Sequence, residues 1–415
     1  MKKNNLKPLI TMFIVVIANL ILKGLLFTKY PNSLSPEEVT NIKLLHLPQS
    51  GYVNYYYLRL IPIFLSSLIS LLSFIALYQM SNNLLLGFFV GLGLTISPWI
   101  FILSRFLNFY IFFLVIVVLI FTFCRQYKIR YIILFMFLIG FGFLLGTKTF
   151  DYKELLSDFP SLIRVLDFKI LFFNGDFASS YIRIPKTGFF MYVDFFIFIL
   201  GIYYLIFYKN TKIRLLILDL LIIGSVWFFI TPANLMITHR SLYLLYAINI
   251  AIGLGYYFLF QQLFGKKNVS LTLILFAVAI ILFNFIYYQE LFYCHFDKKN
   301  AFAWGYAEEA LVKYIEKNET NIKNVYISPR SGKFAEYLTL FSKNTNLYHI
   351  YKLQSNNELL PLKTKCLETN NLCILDEDEM ERFMNIRRES VTKRIVNFNG
   401  LTAYTLLSKN TLQEK

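Results

Sequence analysis

Charge is what this chain has least of. Only 16% of its 415 residues are Asp, Glu, Lys or Arg, while 57% are hydrophobic; soluble domains carry about a quarter charged residues, so a single soluble core is excluded. Histidine and cysteine are also scarce, at four each. His46, His239, His295 and His349 are scattered, and neither a CxxC nor a paired-His pattern occurs, so no metal-binding motif is present. No Gly-rich phosphate loop and no Ser-His-Asp order appear either. The formal charge of +16 would suit nucleic acid in a soluble protein. In a membrane protein it has a simpler origin, because cytoplasmic loops collect Lys and Arg, and no nucleic-acid partner is expected.

Apolar runs fill the chain instead. Residues 9–28, 57–80, 84–100, 106–124, 131–146, 188–208, 213–231, 241–264 and 269–288 approach the ~20 residues that an α-helix needs to cross hydrocarbon. The expected fold is an α-helical polytopic membrane protein, with residues 1–288 as the transmembrane domain and 289–415 as a small C-terminal extracytoplasmic α/β domain. The first run follows Lys2, Lys3 and Lys7 in the manner of a signal peptide. Its apolar core is too long for one and no small-x-small cleavage site follows, so it reads as a retained helix. Lys2, Lys3, Lys7, Arg125, Lys128, Arg130, Lys209, Lys212, Arg214, Lys266 and Lys267 gather on one side. That asymmetry predicts a cytoplasmic amino terminus, an external tail and a place in the plasma membrane.

Three segments are then external. Residues 29–56 carry Leu34-Ser35-Pro36-Glu37-Glu38-Val39, two adjacent carboxylates directly after the first span. Residues 147–187 are too long for a mere connector, and Leu155–Phe173 has the pattern of a helix lying along a membrane surface. In the tail the periodicity changes. Helices are expected at 307–317, 333–341 and 377–385, and strands at 323–328 and 372–375. A hairpin, 391–398 with 401–407, is expected around Asn399-Gly400. Cys366 and Cys373 both lie in this tail, which leaves a disulfide between them open.

The charges at the outer membrane face are Glu37, Glu38, Arg105, Asp176, Arg183, His239 and Arg240. Taken singly, each is an ordinary interfacial charge. Together they suit one task. A lipid phosphate leaving a sugar needs cations to pair its growing charge, and a glycosyl acceptor hydroxyl needs a carboxylate as general base. Two adjacent carboxylates repel and raise one pKa, unless a cation such as Arg59 or Arg105 lies close.

Four segments, in this order, resemble the GT-C class of membrane glycosyltransferases, of protein O-mannosyltransferase and aminoarabinose-transferase type. They are Ser35-Pro36-Glu37-Glu38; Ile96-Ser97-Pro98-Trp99 running to Ser104-Arg105; Phe172-Phe173-Asn174-Gly175-Asp176 with Arg183 and Gly188; and Thr238-His239-Arg240-Ser241-Leu242. The stretch Trp304-Gly305-Tyr306-Ala307-Glu308-Glu309-Ala310 is similar to the start of the small external domain of bacterial members. The resemblance implies transfer of a sugar from a polyprenyl-phosphate carrier to an extracytoplasmic acceptor, whether lipid, glycan or protein. It implies Glu37 and Glu38 as the catalytic carboxylates, and Arg105, Asp176, Arg183, His239 and Arg240 as substrate-binding residues. No cofactor follows from it, and a divalent metal is left open. The pattern departs from the class in three places: Glu37 stands for the usual Asp, the first external loop is shortened, and no acid follows Arg105. A catalytically degenerate relative that binds lipid or a partner is therefore the alternative. A transporter would want charges deep in its spans, where only Lys23 and Asp219 are expected, each near an end.

Overall fold

A computed structural model describes residues 6–25, 34–44, 55–123, 152–175, 184, 186–208, 210–231, 237–264, 271–300, 304–318, 321–327, 337, 348–350, 368, 370–375, 391–396 and 400–407. The chain forms two compact units, Met1–Phe27 with Leu58–Phe296, and Thr28–Tyr57 with Asp297–Lys415. The sequence-based boundary kept residues 29–56 with the helices, whereas these contacts group Thr28–Tyr57 with the tail.

The first unit is helical: α1 (Leu6–Gly24), α3 (Leu60–Ser81), α4 (Leu84–Ile96), α5 (Pro98–Leu103), α6 (Tyr110–Phe123), α7 (Tyr152–Val165), α8 (Tyr192–Phe207), α9 (Thr211–Ile230), α10 (Ile237–Arg240), α11 (Leu242–Phe264) and α12 (Leu271–Glu290), with α2 (Pro36–Leu44) in the other unit. Among the described residues, five stretches are long and apolar enough to cross a membrane: Lys7–Gly24, Tyr57–Ser81, Thr211–Ile230, Leu242–Phe264 and Leu271–Lys299. Shorter apolar helices cover Leu84–Ile96, Tyr110–Phe123 and Tyr192–Phe207, and the expected span at 131–146 lies outside the described residues. These lengths make the chain a helical membrane protein.

Local chemistry sets the helix ends. Asn82 adopts a left-handed φ of 52° and Asn83 caps α4 by accepting from the Leu85 and Leu86 N–H groups, so the Asn-Asn pair turns α3 into α4. Pro98 stops α4 at Ile96, because the residue before proline avoids helical ψ; Ser97 is extended and Pro98 opens α5. The expected span at 106–124 begins later, at Tyr110, since Asn108 Oδ1 accepts from the Ile111 N–H at 3.2 Å. Within α3 the hydroxyls of Ser66, Ser67, Ser70 and Ser73 bond back to carbonyls three or four residues earlier, which is how serine is carried in an apolar helix. α11 is the centre of the unit, buried without interruption from Leu242 to Phe258. Its backbone touches that of α8. A Cβ on Gly201 would strike the Ala251 carbonyl, and one on Gly255 the Ile197 carbonyl, the small-residue packing that lets membrane helices approach closely.

In the second unit, α14 (Tyr306–Lys317) packs on a five-stranded sheet of order β2-β1-β3-β5-β4, with β1 Asn324–Ile327, β2 Tyr348–Ile350, β3 Asn371–Leu375, β4 Val391–Val396 and β5 Thr402–Leu407; a one-turn α13 (Asp297–Lys299) precedes it. β1 runs parallel to β2 and β3, while β3–β5 and β4–β5 are antiparallel. Ala307, Leu311, Val312 and Ile315 of α14 meet Val325, Ile327, Leu372, Ile374, Ile395 and Leu406, one stripe of a helix against one face of the sheet. The expected hairpin is β4–β5, with Gly400 at φ 85°. β2 was not foreseen, and the helices expected at 333–341 and 377–385 fall, but for a helical Tyr337, outside the described residues. Cys373 is disulfide-bonded; Cys366 is not among the described residues, and Cys294 is an exposed free thiol.

Candidate functional site

Of the two carboxylates after the first span, Glu38 is the one whose side chain is described. Glu38 Oε2 accepts from the Ser35 N–H at 2.9 Å, and the Glu38 N–H donates to Ser35 Oγ at 3.1 Å. With Pro36 at the first helical position, Ser35-Pro36-Glu37-Glu38 is a capping box that starts α2. Glu38 is 1% exposed and one of its oxygens is engaged locally. Glu37 sits in the first turn of the same helix; its side chain lies outside the described ones. The carbonyl of Leu34, just before the box, accepts from the Gly305 N–H at 3.0 Å and from the Tyr337 hydroxyl at 2.8 Å. The acidic segment is thus pinned to the Trp304-Gly305 stretch of the tail, and a Cβ on Gly305 would run into the Tyr337 ring.

Arg105 lies in the helical unit, 1% exposed. Its Nη1 donates to the Leu25 carbonyl at 2.6 Å, and its Nη2 to the Leu22 carbonyl at 3.3 Å and the Tyr293 hydroxyl at 2.6 Å. The two carbonyls belong to the end of α1, where four carbonyls have no helical partner and the dipole is negative. The guanidinium carbon stands 4.7 Å from the Phe101 ring centre and 5.3 Å from that of Phe292, which adds cation–π attraction. Two more buried basic side chains lie near it. Lys23 and Arg59 are fully buried, and each repels Arg105. Among the described residues Lys23 Nζ and Arg105 Nε have no hydrogen-bond partner. Lys23 is carried on a polar stripe of α1 with Asn19, whose Nδ2 donates to Thr95 Oγ1 at 2.5 Å.

His239 and Arg240 sit on α10. The His239 ring stacks on Tyr110 at 4.2 Å and 17°, and its carbonyl accepts from Trp227 Nε1 at 3.0 Å. Burial pulls its pKa down to about 3, so the imidazole is neutral near pH 7. Arg240 grips Asp158 of α7, with Nη2–Oδ2 at 2.7 Å and Nη1–Oδ1 at 3.3 Å. It also donates to the Phe228 carbonyl from Nε and Nη2, at 3.3 and 3.0 Å, and lies 4.1 Å over the Phe228 ring. That network fastens α7 to the end of α9. Asp176 and Arg183 lie outside the described residues; before them, a π-helical turn at Lys169–Asn174 closes on Gly175 at φ 64°.

The SPW segment is a junction. Trp99 donates its N–H to the Phe189 carbonyl at 3.1 Å and its Nε1–H to Asn249 Oδ1 at 3.3 Å, while the Tyr288 hydroxyl donates to the Pro98 carbonyl at 3.3 Å. Gly188, beside Phe189, has no room for a side chain, since a Cβ there would meet the Leu171 carbonyl.

Sequence reasoning missed three groups. Lys23 was noticed only as a charge near a helix end, although Asn19 and Lys23, four apart in an apolar helix, marked a polar face. Asp158, the partner of Arg240, carried no local signal. Asp194 falls inside the expected span 188–208 and was overlooked; it caps α8 by accepting from the Met191 N–H at 3.0 Å and accepts from the Tyr256 hydroxyl at 2.6 Å. Among the described residues no three His, Cys, Asp or Glu side chains come together. No protein-family model, no curated protein and no solved structure matches the chain.

Proposed function

We propose that the chain is an integral-membrane glycosyltransferase that moves a sugar from a polyprenyl-phosphate carrier to an extracytoplasmic acceptor. The supporting observation is the buried cluster of basic side chains Lys23, Arg59 and Arg105. An entering phosphate oxygen would give Lys23 Nζ, which has no hydrogen-bond partner among the described residues, the counter-charge that an ammonium there needs, while Arg105 Nε–H is also available. Transfer breaks the bond from the sugar C1 to the phosphate oxygen, turning a diester of one negative charge into a monoester of nearly two. Fixed cations in a low-dielectric site stabilise that gain more than they stabilise the donor. In this reading Glu37 accepts the proton of the acceptor hydroxyl, because Glu38 is engaged in the capping box. Arg240, held by Asp158, positions the helices instead of binding phosphate. The excess of basic residues on the opposite loops and the disulfide at Cys373 support an external tail and a cytoplasmic amino terminus.

Binding tests the cluster apart from the chemistry. Polyprenyl phosphate should bind the purified protein and lose affinity at least tenfold in Lys23→Gln, with the elution volume of the folded protein unchanged. Equal affinity in the variant would remove the support for the reading. The degenerate alternative is favoured by one observation, the engagement of Glu38 as a helix cap, and it predicts carrier binding with no sugar transfer.

A further inference from the structure

A second feature concerns a different lipid at a different place. Between α8 and α9 runs a groove of about 440 Å³, lined by Ile202, Ile206, Leu218 and Leu221 among others, with Arg214 the charged residue in its lining. The volume matches roughly fifteen methylene groups, if each takes about the 30 Å³ share of a liquid water. That is one acyl chain. Arg214 is held in place, with Nη2 donating to the Ile206 carbonyl at 2.8 Å and the Tyr208 carbonyl at 3.1 Å. Among the described residues its Nε has no partner and no carboxylate pairs with it. The turn around it reads Lys209-Asn210-Thr211-Lys212-Ile213-Arg214, three basic residues and no acid. Along α9, Arg214 stands fourteen residues from Phe228, about 20 Å at 1.5 Å per residue. The groove is therefore remote from the Arg240 network.

We propose that this groove binds an anionic phospholipid, its acyl chain lying along Ile202, Ile206 and Leu218 and its phosphate pairing with Arg214. The groove supplies the apolar half and the basic turn supplies the charge preference, so a zwitterionic lipid of the same chain length is held more weakly. A juxtamembrane basic residue is worth about fivefold in affinity for an anionic surface.

The test uses the full chain in nanodiscs of phosphatidylcholine alone or of equal parts phosphatidylcholine and phosphatidylglycerol. Lipid retained after extraction is counted by native mass spectrometry, and thermal stability is read in parallel. The wild type is expected to keep phosphatidylglycerol about fivefold over phosphatidylcholine and to melt higher with it. Arg214→Gln should lose the preference, and Leu218→Trp, which fills the groove but keeps the charge, should lose retained lipid of both kinds. Three results overturn the proposal: no preference in the wild type, an unchanged preference in Arg214→Gln, or undiminished retention in Leu218→Trp, which would leave attraction by charge alone. None of these readouts depends on sugar transfer.

Discussion

Replacing Asp158 with Asn separates a structural arginine from a ligand-binding one. The change keeps the shape and removes the charge facing Arg240, which is 3% exposed. Deleting one partner of a buried ion pair costs about 3–5 kcal/mol, because the other charge stays buried. Two features reduce that. Asp158 is 16% exposed, and the Phe228 carbonyl and ring continue to hold the guanidinium. A loss of about 2 kcal/mol remains, equivalent to a drop of roughly 5 °C at the 2–4 °C per kcal/mol of larger domains. Thermal unfolding of detergent-solubilised protein, read as the fraction still monodisperse after heating, measures it. Arg240→Met with Asp158→Leu together should restore most of the loss, since apolar replacement of a buried pair is close to neutral. An unchanged melting point in Asp158→Asn accompanied by lost carrier binding would refute the reasoning and return Arg240 to the phosphate.

Other expectations follow from the same geometry. Ser35→Ala or Glu38→Ala opens the capping box of α2 and should destabilise by about 1 kcal/mol, visible as faster protease cleavage near residue 35; equal cleavage rates would contradict the cap. Gly255→Leu drives a side chain into the Ile197 carbonyl and should cost more than about 3 kcal/mol, so folded yield should collapse, whereas full yield would mean the α8–α11 contact is loose. His239 has a folded pKa of about 3 against ~6.5 unfolded. The unfolded chain binds the extra proton between those values, so this contribution is fully present above pH 6.5 and is lost as pH falls toward 3, at up to about 1.4 kcal/mol per unit. His239→Phe should flatten that acid limb of the melting curve, and an identical limb in the variant would rule the histidine out.

Much of the fold was legible where one residue decides locally. Asn399-Gly400 announced the β4–β5 hairpin, and the amphipathic pattern of Leu155–Phe173 anticipated α7. Apolar length marked the membrane helices, though Pro98 and Asn108 moved the ends of two of them inward. What could not be read depends on partners distant in sequence. Leu34 is fixed by Gly305 and Tyr337, and Arg240 by Asp158; neither pairing leaves a trace in spacing. Ser35-x-x-Glu38 is itself a local signature of a helix start, but adjacent carboxylates drew attention to charge in place of capping. The basic cluster assembles from the end of α1, the start of α3 and the loop before α6, so in the sequence Lys23 stood apart, as a charge within a span, from Arg59 and Arg105 on the external side.

The central claim is sugar transfer from a lipid carrier, and carrier turnover measures it. Purified protein is incubated with radiolabelled polyprenyl-phosphate sugars, and release of label from the carrier is followed for the wild type and Glu37→Gln. The account predicts release by the wild type and none by Glu37→Gln, with carrier binding retained in both. Release at the wild-type rate in Glu37→Gln, or none from any donor by a wild type that binds the carrier, would contradict it.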